Sequence, residues 1–438
     1  MKKIGIGLAG FGTVGSGVWN ILRDNGSLIT NRTRGVAHCE ITKIAIRDRE
    51  KAIAAGAPKD LITTDLQELV NSESVDIVVE LIGGTTAAYD LVEAALKAGK
   101  AVVTGNKALL AERGEPLFTL SKKHNAPIHF EAAVAGGIPI IKAIKDSSVG
   151  NRIESMAGII NGTSNYILER MTLAGLRYPE ALQEAKELGY AEADPTLDVN
   201  GWDAAHKAIL LASLSYGFVI DPANVYVRGI ERVRSIDIDF ASKLGYVAKL
   251  MCIVNRHEDG KIELRTQPSF IPKSHILASV NGVFNAIAVR GDAMGDSLFY
   301  GRGAGQLPTG SSVISDIVET ALDLVGDNAH RAFIPYTTNG ELVDINDTET
   351  PYYVRFDVED KIGVVAEIAN VLASEGIGIS GTHSPVNPEN PDQEFVDMVF
   401  LLHTCKFGKL KNALKKVEQL ECVTERPTVF RIESFPTE

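Results

Sequence analysis

The first 130 residues alternate short apolar runs with stretches whose apolar residues recur every three to four positions. Residues 3–8, 41–46, 75–82, 101–104 and 127–130 read as strands. The run 75–82 is nearly continuously apolar, as a parallel strand buried on both faces must be. Residues 16–22 and 89–98 have helical spacing, with Gly99 ending the second helix. The polar, basic stretch 30–40 reads as an exposed loop. This alternation predicts an α/β, doubly wound domain over residues 1–130.

Beyond it the pattern changes. Residues 153–160, 225–230, 248–254, 261–266 and 285–289 read as strands, and residues 161–166 open a helix running to Arg170. Residues 301–305 form a glycine-rich loop, and residues 311–325 an amphipathic helix that returns to the first domain. Residues 131–335 thus predict a mixed α+β domain with an antiparallel-rich sheet. Residues 336–350 are polar and turn-rich, a linker. After it, 352–358, 395–402 and 428–432 read as strands, 360–374 and 409–420 as helices, and 376–380 turns into a further strand. That order is the ferredoxin-like β-α-β-β-α-β split, here over residues 351–432, and it suits a regulatory module.

The first strand and helix are joined by Gly10-Phe11-Gly12-Thr13-Val14-Gly15, the dinucleotide-binding turn. Gly10 makes the tight turn, Gly12 lets the backbone approach a pyrophosphate, and Gly15 lets helix and strand pack closely. The helix N-terminus offers N–H groups and partial positive charge to phosphates. The second strand ends in Arg47-Asp48-Arg49. An acid there binds the ribose hydroxyls of NAD, whereas an arginine accommodates the 2′-phosphate of NADP. Arg47 therefore points to NADP, with NAD as the alternative. Thr85, after Gly83-Gly84, and Lys107 both follow strands at the carboxyl edge, where ligands sit in such sheets.

Charge changes the picture only by exclusion. A formal net charge of -12 argues against nucleic-acid or anionic-membrane binding through bulk charge. The four cysteines, Cys39, Cys252, Cys405 and Cys422, are too scattered for CxxC ligation or a disulfide framework, which fits a reduced, cytoplasmic protein. The N-terminal apolar run is too short for a signal peptide, and no run is long enough to span a membrane.

The densest chemistry lies in residues 187–207, which carry Glu187, Glu192, Asp194, Asp198, Asp203 and Lys207. Asp194-Pro195 reads as a turn, and Asn200 as the cap of a helix with Asp203 near its positive end. Asp203 and Lys207, four apart, share a helix face, and Ala208 to Leu211 read as a buried body. A lysine at the mouth of an apolar helix, ringed by carboxylates, suits proton transfer or anchoring of a polar substrate. A solvated loop followed by a surface ion pair would show the same spacing.

With GFGTVG, TGNKALLA at 104–111, EAAVAGGIPII at 131–141, NGTSNYIL at 161–168, LGYAEADPTLDVNGWDAAHK at 188–207 and GRGAGQLPTGSSVISD at 301–316, the chain resembles monofunctional homoserine dehydrogenases that carry a C-terminal ACT domain. The resemblance covers essentially the whole chain, and the 188–207 motif is its most specific part. It starts directly at the first strand, so no preceding aspartokinase domain is expected. The resemblance implies reversible, NAD(P)-dependent interconversion of L-aspartate 4-semialdehyde and L-homoserine. It makes 131–335 the catalytic and dimerisation domain. Lys207 matches the proton-donating lysine, and Lys107 a second lysine between cofactor and substrate. Glu192 matches the residue that binds the substrate amino group, and Asp198 and Asp203 the pair that orients substrate and lysine. Gly162 and Thr163 match substrate-binding positions, and Gly303 a cofactor-contacting loop. Glu131, Val134, Gly136 and Ile138 match positions that hold a monovalent cation, typically sodium, partly through backbone carbonyls. Gly105, where alanine is common, is the one minor departure in these motifs. Threonine as effector of the ACT domain and a homodimer or homotetramer complete the expectation. Two rivals remain: an oxidoreductase for another amino-acid-like carbonyl, and an amino-acid sensor with a vestigial site. The second is opposed by the presence of both lysines and the carboxylates.

Overall fold

The structure, a computed structural model, describes residues 1–326, 336–384 and 395–435. Its chain divides into two units, Met1–Met156 with His206–Asn224 and Phe284–Gly340, and Ala157–Ala205 with Val225–Val283 and Glu341–Glu438.

In the first unit the strands are β1 Lys2–Ala9, β2 Ala37–Ala45, β3 Ile62–Thr63, β4 Ile77–Glu80, β5 Ala101–Thr104 and β6 Ile128–His129. All pair in parallel, in the order β3-β2-β1-β4-β5-β6. The order reverses between β1 and β4, which places a crevice beyond their carboxyl ends. Three helices matter to that edge: α1 Thr13–Arg32, α2 Ala87–Lys97 and α3 Lys107–His124. Ile4, Ile6, Leu8, Ile77 and Val79 are fully buried, as the apolar runs require. The distant helix Gln306–Gly326 shares this core through Val313, Ile314, Ile317 and Ala321. The expected exposed loop at 30–40 is largely absent. α1 runs on to Arg32, and the buried Thr33 hydroxyl donates to the carbonyls of Thr30 and Ala37, closing the connection within 33–36.

In the second unit the strands Tyr246–Arg256 and Ile262–Pro272 pair antiparallel. Thr428–Ile432 pairs in parallel with Ile262–Pro272 and antiparallel with Glu349–Glu359. Phe395–Lys406 and Ile379–His383 follow. The C-terminal strands thus take the spatial order fourth, first, third, second, with all pairs antiparallel, which is the ferredoxin-like arrangement. The helices Val364–Ser374 and Phe407–Val417 bury Ile368, Leu372, Leu410 and Val417 against Val354, Phe356 and Phe400. The alternate residues of Glu349–Glu359 carry an ionic layer. Arg355, 1% exposed, donates to Asp237 at 2.9 Å and to Asp357 at 2.8 Å. Arg265 holds Glu433 with both Nη atoms, at 2.6 and 2.8 Å, and Glu263 with Nε at 2.6 Å.

The sequence reading missed the helices Tyr178–Glu187 and Ser235–Lys243 and the strand Gly295–Arg302. The strand expected at 225–230 shrinks to Tyr226–Val227, because the chain leaves the sheet to bond with the 199–201 turn. The helix expected from 360 begins at Val364, after a turn that leaves Ile362 fully exposed.

Candidate active site

Each unit contributes its own set of functional groups. In the first, Gly10 lies at φ +97°, and a Cβ on Gly15 would fall 2.2 Å from the Gly10 carbonyl oxygen, so helix and turn pack as the motif requires. A Cβ on Gly12 would meet nothing within 4 Å, so the space above it is open to a ligand. Gly12 and Thr13 are exposed, Val14 is half-buried and Phe11 is buried in the core, so Phe11 offers a ligand only its backbone. The opening N–H groups of α1 lack intrahelical partners. These residues fit a dinucleotide pyrophosphate.

At the end of β2, Asp48 accepts the Lys51 N–H at 3.0 Å and caps the helix Arg49–Ala54, while Arg49 donates to the Lys59 carbonyl. Arg47 is exposed beside them. At the end of β4, the fully buried Glu80 accepts from Ile82 N, Gly83 N and Thr104 Oγ1, at 2.9, 3.1 and 2.6 Å. Burial raises its pKa, against these hydrogen bonds. Asn106 caps α3 through Leu109 N and donates to the Gly84 carbonyl at 2.7 Å. Arg113 donates to the Thr85 carbonyl at 3.1 Å and stacks on Tyr89. Thr85 is therefore fixed by its backbone, and half-buried Lys107 is the first residue of α3. A cation there opposes the helix dipole, a cost that a structural residue would avoid.

Gly303 joins the segment matched to the cation positions. A Cβ on Gly303 would fall 2.0 Å from the Asn285 amide, and Gly137 N donates to the Arg302 carbonyl at 3.0 Å. The carboxylate of buried Glu131 is already taken, accepting from Ile141 N and Lys142 N at 2.9 Å each. Its pKa is raised by burial. The carbonyl of Gly136 accepts the Ser312 hydroxyl at 2.5 Å and that of Ile138 the Ile140 N–H at 2.8 Å, each leaving one lone pair. Neutral backbone oxygens on this left-handed turn at Ala135 and Gly136 suit a hard monovalent cation. His129, Asp316 and Glu319 lie close by, but Lys142 and Lys145 reach Glu319 at 2.9 Å each, so this cluster is already charge-balanced.

In the second unit the centre is Asn161, absent from the sequence-derived site. Its Oδ1 accepts Ser164 N at 2.7 Å and caps the helix Gly162–Ala174. Its Nδ2 donates to Asp198 at 2.7 Å and to Asp203 at 2.8 Å, joining carboxylates from two helices. The Ser164 hydroxyl donates to the Asp198 carbonyl and the Thr163 hydroxyl to the Tyr190 carbonyl. Gly162 is pressed against the Val283 carbonyl, 2.7 Å from where a Cβ would lie. Thr163 and Gly162 are thus tied into the scaffold. Glu192 stands exposed in the loop before the helix Thr196–Val199. Asp194 accepts the Thr196 N–H at 3.1 Å just ahead of that helix, and Asn200 accepts the Trp202 N–H at 3.0 Å. The signal for Asn161 was available: an asparagine directly ahead of a helix start is a cap, and its second polar atom needs a partner.

The helix Trp202–Tyr216 carries Asp203 and, one turn on, Lys207. They are 9% and 8% exposed, and Ala208, Ile209, Leu210 and Leu211 are buried behind them. A solvated ion pair is excluded by this burial. Residues 10–131 match the family model described as homoserine dehydrogenase, NAD binding domain, and residues 139–318 the one described as homoserine dehydrogenase. The chain is 42% identical to the homoserine dehydrogenase of Neisseria gonorrhoeae and 41% identical to that of Pseudomonas aeruginosa, over 99% of its length and 100% of each. A solved homoserine dehydrogenase from Thiobacillus denitrificans matches with a TM-score of 0.90 at 40% identity, over 99% of both chains. A hyperthermophilic archaeal homoserine dehydrogenase in complex with NADPH matches with a TM-score of 0.63 at 28% identity, over 74% of this chain and 98% of its own. The chain therefore belongs to the homoserine dehydrogenases, oxidoreductases with an NAD(P)-binding domain.

Proposed function

We propose that the chain reduces L-aspartate 4-semialdehyde reversibly to L-homoserine, with Lys207 as proton donor and NADP as the preferred cofactor. The observation that carries this is the buried Lys207, one turn beyond an Asp203 that Asn161 ties to Asp198. A bound nicotinamide supplies hydride to the aldehyde carbon. As the carbonyl oxygen gains negative charge, the Lys207 ammonium stabilises it and donates a proton from Nζ. Burial makes that charge effective, because little water competes for it. Asp198 and Asp203 orient the substrate and Lys207, while exposed Glu192 takes the substrate's ammonium. Lys107 assists the proton transfer or substrate binding. Asp48 spends Oδ1 as a helix cap rather than on ribose hydroxyls, and exposed Arg47 would meet a 2′-phosphate. The archaeal relative solved with NADPH supports the same preference.

A sodium ion would be held by the carbonyls of Glu131, Val134, Gly136 and Ile138, fixing the loop against Arg302 and Gly303. The C-terminal module would take threonine as effector. Its exposed turn at Asp360-Lys361-Ile362-Gly363, ahead of the helix Val364–Ser374, supports that reading.

The test is initial-rate oxidation of NADPH and NADH with aspartate semialdehyde, for the wild type and Lys207→Ala. The variant is expected to bind cofactor normally and to lose about 10²- to 10⁴-fold in kcat. A Lys207→Ala enzyme of near-normal kcat would move the proton donor elsewhere, and an inactive wild type would sink the reaction.

A further inference from the structure

A cavity of about 350 Å3 opens within the second unit, between the 226–233 segment and the C-terminal helix Phe407–Val417. Its size suits a small metabolite. Its floor is apolar and buried, made by Val233, Pro268, Phe407, Pro427 and Phe430. Around the floor stand five cations, Arg228, Arg232, Lys411, Lys415 and Arg426, and only two carboxylates, Glu231 and Glu418. Such an excess is unexpected in a chain of net charge -12. Glu418 is spent on Arg426, at 3.5 Å, while exposed Glu231 has its carboxylate beside Gly229 and keeps its charge. Arg232 is anchored on the Arg426 carbonyl, and Arg228 on the Tyr226 hydroxyl at 3.1 Å. Lys411 and Lys415, both exposed and one turn apart, make no ion pair among the described residues. The pKa of Arg232 is lowered by burial and by Arg426 and Arg355, despite Glu425, as befits a concentration of positive charge.

The wall of this cavity is also the back of the carboxylate site. Ile230 N donates to the Val199 carbonyl at 2.8 Å, and Arg228 N to the Thr266 carbonyl at 2.8 Å. Gly229 lies so close that a Cβ would come within 2.1 Å of Val199 O and 2.5 Å of Asn200 Cα. The 199–201 turn joins the helix carrying Asp198 to the helix carrying Asp203. A shift of the 228–230 segment therefore bears directly on the turn that sets one carboxylate against the other.

We propose that this cavity is an effector site for a small organic anion, a carboxylate or phosphate on an apolar body, whose binding is transmitted through residues 228–230 to the Asp198–Asp203 pair. Guanidinium and ammonium groups recognise the headgroup, and the aromatic floor takes the body. The binding claim stands on the cavity alone. The transmission claim rests on the reading of Asp198 and Asp203 as substrate-holding groups.

The experiment is calorimetric titration of the full chain, saturated with NADPH so that the nucleotide turn is filled, with phenyl phosphate and with phenylacetate at constant ionic strength. Lys411→Glu and Lys415→Glu are titrated beside the wild type, after thermal unfolding has shown each to be folded. The wild type is expected to bind at least one probe at millimolar concentration, and each variant about tenfold more weakly. The stronger probe identifies the headgroup. Absence of binding, or binding that both variants retain undiminished, overturns the site. The KM for homoserine is then measured with and without the bound probe. A displaced KM supports transmission, and an unchanged KM overturns it. An Asp198→Ala enzyme with normal KM would instead refute the reading of the carboxylates and leave the calorimetric result intact.

Discussion

In the first unit the atoms proposed to hold the nucleotide pyrophosphate and the cation belong to the main chain, namely the N–H groups that open α1, the exposed backbone at Gly12 and the carbonyls between 131 and 138, and Arg47, Lys107 and Lys207 are its proposed side-chain groups. In the second they belong to side chains, the carboxylates that Asn161 draws together. The cores differ in the same sense. The parallel sheet of the first is packed by aliphatic residues such as Ile4, Leu8, Ile77 and Val79. The sheet of the second is crossed by buried arginines, Arg265 and Arg355, each met by carboxylates. A backbone site needs only glycines at the right turns and tolerates neighbours that change. A side-chain site, like a buried ionic layer, fails when one partner is removed, since the remaining charge is left without compensation.

The largest effect expected from that contrast is at Glu433. Glu433→Ala takes from Arg265, 2% exposed, the carboxylate on both Nη atoms and leaves Glu263 on Nε, so it should cost about 3 kcal/mol in chemical unfolding, with the sheet joint between Ile262–Pro272 and Thr428–Ile432 loosened. A cost near zero would mean that the C-terminal module is energetically separate. For the same reason, removing everything after residue 350 would exchange a test of regulation for a test of folding. Next comes Asn161→Ala, which leaves Asp198 and Asp203 unbridged. It should raise the KM for aspartate semialdehyde by about 10- to 100-fold while leaving cofactor affinity unchanged. Equal effects on substrate and cofactor would erase the distinction between the two sets of groups. In the first unit, Arg47→Ala should lower the preference for NADPH over NADH by about tenfold and leave KM for the aldehyde alone.

The smallest effect sharpens the ionic layer. Burial and the neighbouring Asp357 push Asp397 up to about 6, although Arg355 and Arg234 oppose the shift. Its folded value lies above the ordinary carboxylate value of about 3.9, so its contribution is complete below that pH and is lost as pH rises through about 6. Asp397→Asn, which fixes a neutral side chain, should match the wild-type Tm near about pH 4 and exceed it by a few degrees near about pH 8. A Tm difference independent of pH would remove Asp397 from the titrating groups.

Much of this was legible along the chain. The Gly10-to-Gly15 turn, the strand Ala101–Thr104 and the strand Thr428–Ile432 follow from local patterns, because turn glycines and apolar alternation act over a few residues. So does the burial of Ala208 to Leu211 behind Lys207. Polar residues that act across long separations were not legible. Arg265 and Arg355 lie in runs that read as strands, but nothing in the sequence marks them or Asp237 as buried, and their partners, as distant as Glu433, are what make burial tolerable. The 225–230 strand failed for a related reason: its Ile230 N–H goes to Val199 rather than to a neighbouring strand.

The sequence by itself determined where the dinucleotide turn, the ferredoxin-like order and the Asp203–Lys207 turn of helix would form, since each depends on spacing within one element. Tertiary structure alone decided that Asn161 bridges two carboxylates 37 and 42 residues away, that Glu131 spends its carboxylate on backbone N–H groups, and that the C-terminal strands extend an existing sheet. Hydrogen bonds and ion pairs are short-ranged in space and indifferent to separation along the chain, so they exist only once folding has brought their partners within reach.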